Sequence, residues 1–155
     1  MAKGGKSGPA GGASFNFDGK AIADALVTGC AQGTLIGLIQ LQREIKATLS
    51  QAGTGTLWPG SRYRSSAPGR PPAVQTGHLR RSWQVGQPAR VAAGRRLGWS
   101  IGSNVPYAKT LEFGSVRIFP RPYLRPAMRT IAKTLGLTVR AQINKALRQI
   151  GLKSR

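Results

Sequence analysis

The side chains that could perform catalysis are few in this chain of 155 residues. A nucleophilic triad would have to use the single histidine, which lies beside two arginines, and an acid–base pair would need two scattered carboxylates to converge. A lone cysteine provides no disulfide framework, and a zinc or two-metal site lacks ligands. We therefore expect a protein that is not an enzyme and that has no cofactor. The residues considered are His78, Cys30, Asp18, Asp24, Glu44 and Glu112.

Positive charge is the chemistry that the chain offers in quantity. It has 24 Lys and Arg against 4 Asp and Glu, a formal net charge of +20. The positive side chains repel one another, and a polyanion, an acidic partner or salt is needed to offset this repulsion. Nucleic acid is the usual polyanion, and counterion release would drive its binding. An ordinary solvated basic surface is the alternative, and it is less able to explain +20 on one small domain.

Ten basic residues are candidates for contact with DNA or an acidic partner. They belong to a flexible basic arm at residues 1–17, to a long loop at residues 53–75, to the start of a predicted strand and to one face of the last helix. In the loop, Trp58 and Tyr63 alternate with arginines, a mixture that suits a nucleic-acid or partner contact, although an ordinary insertion would look the same. The ten are Lys3, Lys6, Arg62, Arg64, Arg70, Arg80, Arg81, Arg129, Lys133 and Arg140.

A long helix is predicted from a cap at Asp18 to about Gln51, with Gly53 ending it. Its apolar and glycine face is Ile22, Leu26, Gly33, Gly37, Leu41, Ile45 and Leu49. Glycines at 29, 33 and 37 recur every four residues, which permits close approach of another element, or marks mere tolerance of glycine on a buried face. Polar residues and glycines interrupt the apolar run, which favours a buried amphipathic helix over a membrane span.

A second long helix is predicted from about Pro122 to Gln149. Its apolar stripe is Met128, Ile131, Leu135, Val139, Ile143, Ala146 and Ile150. At about 100° per residue, a row of cations falls on the neighbouring face, Arg125, Arg129, Lys133 and Arg140. Because no acid interrupts this row, the face is a candidate contact surface as well as a solvated one.

Between the helices the period of apolar residues changes to two. One alternating run comprises Leu79, Arg81, Trp83 and Val85 and is interrupted at Gln87-Pro88. Residues 96–101 form another, so a hairpin with a turn at Gly94 is predicted. Residues 116–119 are a candidate third strand. A short helix from Pro106 and Tyr107 through Leu111 is expected to end at Gly114 in a left-handed cap. The fold class predicted is α+β, with residues 18–155 as one domain in which a small antiparallel sheet packs with a long N-terminal and a long C-terminal helix.

Four short motifs follow one another in the second half of the chain. They are Thr76-Gly-His-Leu-Arg-Arg-Ser82, Asn104-Val-Pro-Tyr-Ala108, Leu111-Glu-Phe-Gly-Ser115 and Pro120-Arg-Pro-Tyr-Leu-Arg-Pro-Ala127. In this order and spacing the set resembles the neck proteins of long-tailed bacteriophages, the tail-completion or head–tail joining components. One departure is Gln75, because members of that family commonly carry an acid before the Thr-Gly pair.

The resemblance implies a structural virion protein at the head–tail junction, made in the host cytoplasm. It would form a ring, expected to be six-fold, between the head-completion (stopper) protein and the tail terminator, with packaged double-stranded DNA in the channel and no membrane. The alternative from another class is a sequence-independent nucleic-acid-binding protein of nucleoid or ribosomal type, which explains the charge but not the four motifs.

Eight residues of the last two motifs and their surroundings are expected at the assembly interface. Glu112 is central among them, because it is the only carboxylate after Glu44 and lies among arginines. We hypothesise a fork-geometry pair with Arg117, Arg121 or Arg125, within or between subunits, against the alternative of a surface acid of little energetic weight. The eight are Tyr107, Glu112, Phe113, Gly114, Arg121, Pro122, Tyr123 and Arg125.

Overall fold

A computed structural model of the chain describes residues 18–89 and 98–151. The predicted basic arm, with Lys3 and Lys6, and the predicted turn at Gly94 lie outside these residues. The elements are α1 (Gly19–Thr48), α2 (His78–Arg81), β1 (Gln84–Ala89), β2 (Gly98–Gly102), α3 (Ala108–Phe113) and α4 (Leu124–Gln149). Two long helices pack together beside a two-stranded antiparallel sheet, which confirms the α+β class.

Helix α1 begins at its predicted cap. The side chain of Asp18 accepts hydrogen bonds from the backbone N–H groups of Lys20 and Ala21, at 3.0 and 3.1 Å, and so satisfies donors that the first turn leaves free. The helix ends at Thr48, three residues before the predicted Gln51. It ends early because Ser50 closes a tighter turn: its N–H donates to Ala47 O at 3.0 Å and its hydroxyl to Lys46 O at 2.6 Å.

Glycines on one face of α1 bring the two long helices into close contact. A Cβ atom at Gly29 would lie 2.6 Å from Ile143 Cα, and one at Gly33 would lie 2.6 Å from Val139 Cα. Real Cβ atoms essentially never come this close to backbone, so only glycine permits the observed approach. The close approach inferred from the glycine spacing is confirmed, and α4 is the element that makes it.

The apolar stripes of both helices differ from their predicted registers at the ends. On α1, Ala25 is buried where Leu26 was expected, and Leu26 is exposed. On α4, Ala127 is buried, whereas the predicted members Met128 and Ile150 are exposed. In each case an alanine is buried and the larger residue next to it is exposed.

The length and composition of α1 fit both a membrane-spanning helix and a core helix. Among the described residues it is the single helix long and apolar enough to cross a membrane. The core helix of a soluble protein meets the same two criteria.

The predicted hairpin is present, with a shifted start. β1 and β2 pair through Val85↔Ile101 and Gly86↔Ser100, and the register becomes irregular before Ala89. The expected strand at Leu79 and Arg81 is wrong, because residues 78–81 form the helical turn α2 instead. Gly77, at φ 70°, reverses the chain there. The strand also continues past Pro88 to Ala89, beyond the interruption predicted at Gln87-Pro88, with a register shift between Gly86 and Ala89.

The predicted third strand is wrong. Residues 116–119 belong to a tight turn in which the N–H of Ser115 donates to Ile118 O at 2.8 Å, and the reverse bond is 3.3 Å. This isolated bridge does not join the sheet, which has two strands within the described ranges.

The core lies where the C-terminal half of α1 meets the residues around α2, α3 and the start of α4. Its members are Leu41, Ile45, Leu49, Leu79, Trp83, Val105, Ala108, Tyr123 and Ala127. The first, second and fourth motifs therefore each supply members of this core.

Candidate assembly corner and basic surface

Residues 107–128, here called the corner, comprise α3, the turn after it and the first turn of α4. Tyr123 anchors the corner in the core, with 1% of its surface exposed. Its ring meets Trp83 edge-on at 5.9 Å, and its hydroxyl donates to Ala108 O at 3.2 Å. Burial, followed by the charges of Glu112 and Tyr107, raises the pKa of Tyr123 to about 12. The tyrosine therefore stays a neutral hydrogen-bond donor across the neutral pH range.

Glu112 is the side chain that joins α3 to α4. It is 2% exposed, and its Oε2 accepts the backbone N–H groups of Tyr123 and Leu124 at 2.8 and 2.9 Å. Its Oε1 accepts the N–H of Arg125 at 3.0 Å and the Nε of the same residue at 3.1 Å. The carboxylate therefore caps α4 from outside that helix, with its negative charge at the positive end of the helix dipole.

Glu112 and Pro126 together account for every backbone donor at the start of α4. An α-helix leaves its first four N–H groups without a partner inside the helix. Three of them, on residues 123–125, donate to Glu112. The fourth position is Pro126, which has no N–H. Proline is tolerated at this position because its missing N–H needs no partner, and no donor of this turn is left without one.

The environment of Glu112 favours its ionised form. Burial, the largest single effect, raises the pKa of this carboxyl. The backbone N–H groups of Tyr123, Leu124 and Arg125 and the side chain of Arg125 lower it, and their sum leaves the pKa below the ordinary 4.5. The negative charge is therefore part of the folded state.

Arg125 forms the ion pair that was hypothesised for Glu112, but not in the fork geometry. Only its Nε reaches the carboxylate, while Nη2 donates to the backbone O of Glu112 at 3.3 Å. The guanidinium lies 5.1 Å from the centre of the Phe113 ring. Because Nη2 donates to the backbone oxygen and not to the carboxylate, the Nε–Nη2 edge gives the carboxylate one hydrogen bond instead of the two that a fork requires.

Gly114 turns the chain outward after α3. A positive φ was expected for Gly114, and its φ is 81°. Its ψ of 179°, however, is not that of the left-handed helical cap that was predicted. A Cβ there would lie 2.9 Å from Ile118 O and 3.0 Å from the ring of Pro120. Only glycine fits both the conformation and the space.

Residues 113–119, here called the apolar turn, project large hydrophobic side chains into solvent. Phe113 is 60%, Val116 106% and Phe119 72% exposed, and Ile118 is 41% exposed. A single exposed apolar residue is ordinary, whereas several on one turn make this turn a candidate contact surface.

The eight residues expected at an assembly interface occupy different depths. Glu112 and Tyr123 are buried within the chain, so any effect on an interface is indirect, through the position of the apolar turn. Tyr107, Phe113 and Arg125 are exposed, and Gly114, Arg121 and Pro122 are half-buried.

The basic candidates that the structure describes lie on the surface but on separate segments. Arg80 is half-buried, and its Nη1 donates to Ser50 Oγ at 3.1 Å. Arg64 donates to Gly55 O at 3.3 Å from a small bridge within the long loop. Across the described ranges the single ion pair is that of Arg125 with Glu112. The exposed candidates are Arg62, Arg64, Arg70, Arg81, Arg129, Lys133 and Arg140.

Sequence reasoning missed Val116 and Ile118 as surface residues and Ser66 as a buried one. The apolar residues at 116–119 were a usable signal, but they predicted a strand. For Ser66, which is 4% exposed, the sequence carries no signal, because small polar residues are common throughout this loop. In the described residues, no three of His, Cys, Asp and Glu come together as metal ligands would.

Neither a family model, nor a curated protein, nor a solved structure matches this chain.

Proposed function

We propose that this protein is a neck protein of a long-tailed bacteriophage. Its copies would form a ring between the head-side stopper and the tail terminator, around the DNA channel. The observation that carries the proposal is the apolar turn, which displays hydrophobic side chains in solvent. It lies in the corner, which also holds the third and fourth of the motifs that resemble the neck proteins.

The base of the apolar turn is built to stay in one position. Glu112 fixes the end of α3 to the start of α4, and the N–H of Arg121 donates to Leu111 O at 2.7 Å on the return of the chain. A surface that is already ordered loses little conformational entropy when it binds. The corner therefore suits repeated protein–protein contact better than a mobile loop would.

A ring requires a heterologous contact, in which the apolar turn of one copy fits a different surface of the next. A self-complementary contact would stop at a dimer, whereas a head-to-tail contact closes into a ring when the rotation permits. The expected ring is six-fold, as the resemblance implies.

Removing the apolar side chains should weaken self-association. For Val116→Ser with Phe119→Ser, we expect subunit affinity to fall roughly 100-fold, since each large apolar side chain gives up at least about 1.5 kcal/mol of burial. Native mass spectrometry and sedimentation would show a shift from oligomer to monomer with an unchanged circular dichroism spectrum. Leu137→Ser, on the exposed face of α4, is the matched control and should leave the oligomer intact. An unchanged mass in the double variant would refute the apolar turn as the contact.

The role in the virion has its own test. Particles made without this protein should appear in electron micrographs as separate filled heads and tails, because the joining ring is missing. Normally joined virions would sink the assignment.

A second candidate, the sequence-independent nucleic-acid binder, is favoured by the exposed cations that lack an acidic partner. A free binder would hold duplex DNA as a monomer or dimer with a steep salt dependence. In that case Arg129→Gln, Lys133→Gln and Arg140→Gln together should reduce the slope of log affinity against log salt by up to about three. No change in slope would exclude the α4 face from DNA contact.

A further inference from the structure

A groove of about 380 Å³ lies between the long loop, the segment before α2 and the corner. Its apolar lining includes Leu49 and Leu79, which are almost fully buried, together with Leu111. Two aromatic side chains also line it and remain accessible, Trp58 at 64% and Tyr107 at 46% exposure. The groove therefore offers contact area to a ligand with an apolar body.

Two polar groups of the groove are buried without a hydrogen-bond partner in the described part of the chain. They are Ser66 Oγ and Arg121 Nε. Leaving a buried donor unpaired costs free energy, and a positively charged donor more than a neutral one. A ligand that brings an acceptor to these groups would relieve this cost.

The backbone holds both residues in place. The N–H of Gly69 donates to Pro120 O at 3.1 Å. This bond joins the long loop, which contains Ser66, to the residues after the apolar turn, which include Arg121. Arg121 is in turn joined to α3 through its bond to Leu111 O at 2.7 Å. These backbone bonds join the two segments to each other, and both residues line the same groove.

We propose that this groove binds a carboxylate-bearing, otherwise apolar peptide segment of a partner protein. A carboxylate accepts from a guanidinium N–H and a hydroxyl at once, and the apolar lining holds its flanking residues. A nucleic-acid backbone would need a row of accessible cations instead of leucines. This chain itself has only 4 acids, two of which cap helices, so another protein is the better source. The proposal deepens the neck role and rests on it only in taking the partner to be a protein.

The probe is acetyl-leucyl-glutamyl-leucinamide, and the same peptide with glutamine in place of glutamate is its control. We expect the glutamyl peptide to shift the Arg121 Nε–Hε resonance and to change the fluorescence of Trp58 saturably. The glutaminyl peptide should bind about tenfold more weakly, because the charge-assisted bond is lost. Arg121→Gln and Ser66→Ala should each weaken the glutamyl peptide, whereas Arg117→Gln, an exposed arginine of the apolar turn, should not.

Equal affinity for the two peptides, or an equal effect of Arg117→Gln, would overturn the proposal. So would a short duplex oligonucleotide that shifts the Arg121 resonance at lower concentration than the peptide. If the Arg121→Gln variant does not fold, the affinity of the Ser66→Ala variant for the glutamyl peptide tests the proposal alone. The oligomer mass of the same variants separates this site from the ring: peptide binding by a protein that forms no ring contradicts only the neck role, and a ring without peptide binding contradicts only the groove.

Discussion

Replacing Glu112 by alanine is expected to lower the free energy of unfolding by about 3–5 kcal/mol. The variant leaves the three N–H groups at the start of α4 without acceptors and removes the partner of Arg125. Glu112→Gln should lower the free energy of unfolding by less, since the amide oxygen can still accept a hydrogen bond. It should still be destabilising, because the amide NH₂ group would face other donors. A marginally stable domain has about 5–15 kcal/mol in all, so alanine here approaches the limit of folding.

Urea unfolding followed by circular dichroism would measure both losses. The matched control is Asp24→Asn, an exposed carboxylate on α1, for which a change within about 0.5 kcal/mol is expected. If Glu112→Ala were no more harmful than the control, the cap would have no energetic role.

The same carboxylate should make the protein sensitive to acid. Although burial raises its pKa, the hydrogen bonds from Tyr123, Leu124 and Arg125 leave it lowered from 4.5 in the folded state. A lowered folded pKa contributes stability that is present above pH 4.5 and lost as the pH falls through that value towards the folded pKa. Glu112→Ala should therefore show a flatter decline of stability below pH 4.5 than the natural chain. Parallel declines would contradict the lowered pKa.

Filling the glycine face of α1 is expected to be the second large loss. Gly29→Ala with Gly33→Ala should destabilise the fold by about 2–4 kcal/mol, the balance of overpacking against the intrinsic helix gain of alanine. Both new methyl groups would meet backbone of α4, at Ile143 and Val139, so the helices themselves must separate. Thermal unfolding of each single variant and the double variant would give the magnitudes.

Two glycines on the same pair of helices serve as controls. A methyl group at Gly37 would meet only the end of the Leu135 side chain, which can move, so Gly37→Ala should cost less. Gly136 on α4 has open space around it, and Gly136→Ala should stabilise by up to about 1 kcal/mol. Opposite signs for Gly33→Ala and Gly136→Ala are the distinguishing result, and equal effects would exclude close packing as the cause.

The sequence predicted the elements in which apolar residues recur at a clear period. It failed where the same alternation of apolar residues occurs both in strands and in turns. Helices α1 and α4 and the hairpin were recognisable because their periods of 3.6 and 2 persist over many residues. The run from Leu79 and the run at residues 116–119 alternate like strands, yet Gly77 and Gly114 place them in a helical turn and a tight turn. That α4 is the partner of the glycine face could not be predicted, because periodicity identifies faces and not their pairing.

For the corner, the sequence identified the residue but not its contacts. One acid among arginines predicted that Glu112 would be paired, and it is. Its three backbone donors, however, lie 11–13 residues further along, and the acid meets them only because the chain reverses at Gly114 and returns along α3. The unpaired groups of the groove depend on the same long-range placement.

Capping both long helices with carboxylates has a consequence for the ionic strength at which the protein acts. Asp18 and Glu112 are two of the 4 acids, and they satisfy backbone groups, so few carboxylates are left to pair with the 24 Lys and Arg. In the proposed ring, neighbouring subunits would therefore repel one another until ions screen them, over about 8 Å at physiological salt. Added salt should strengthen a ring held by apolar side chains and weaken a complex held by phosphates. The two candidate functions thus respond to salt with opposite sign, and one titration that follows subunit mass and DNA binding together distinguishes them.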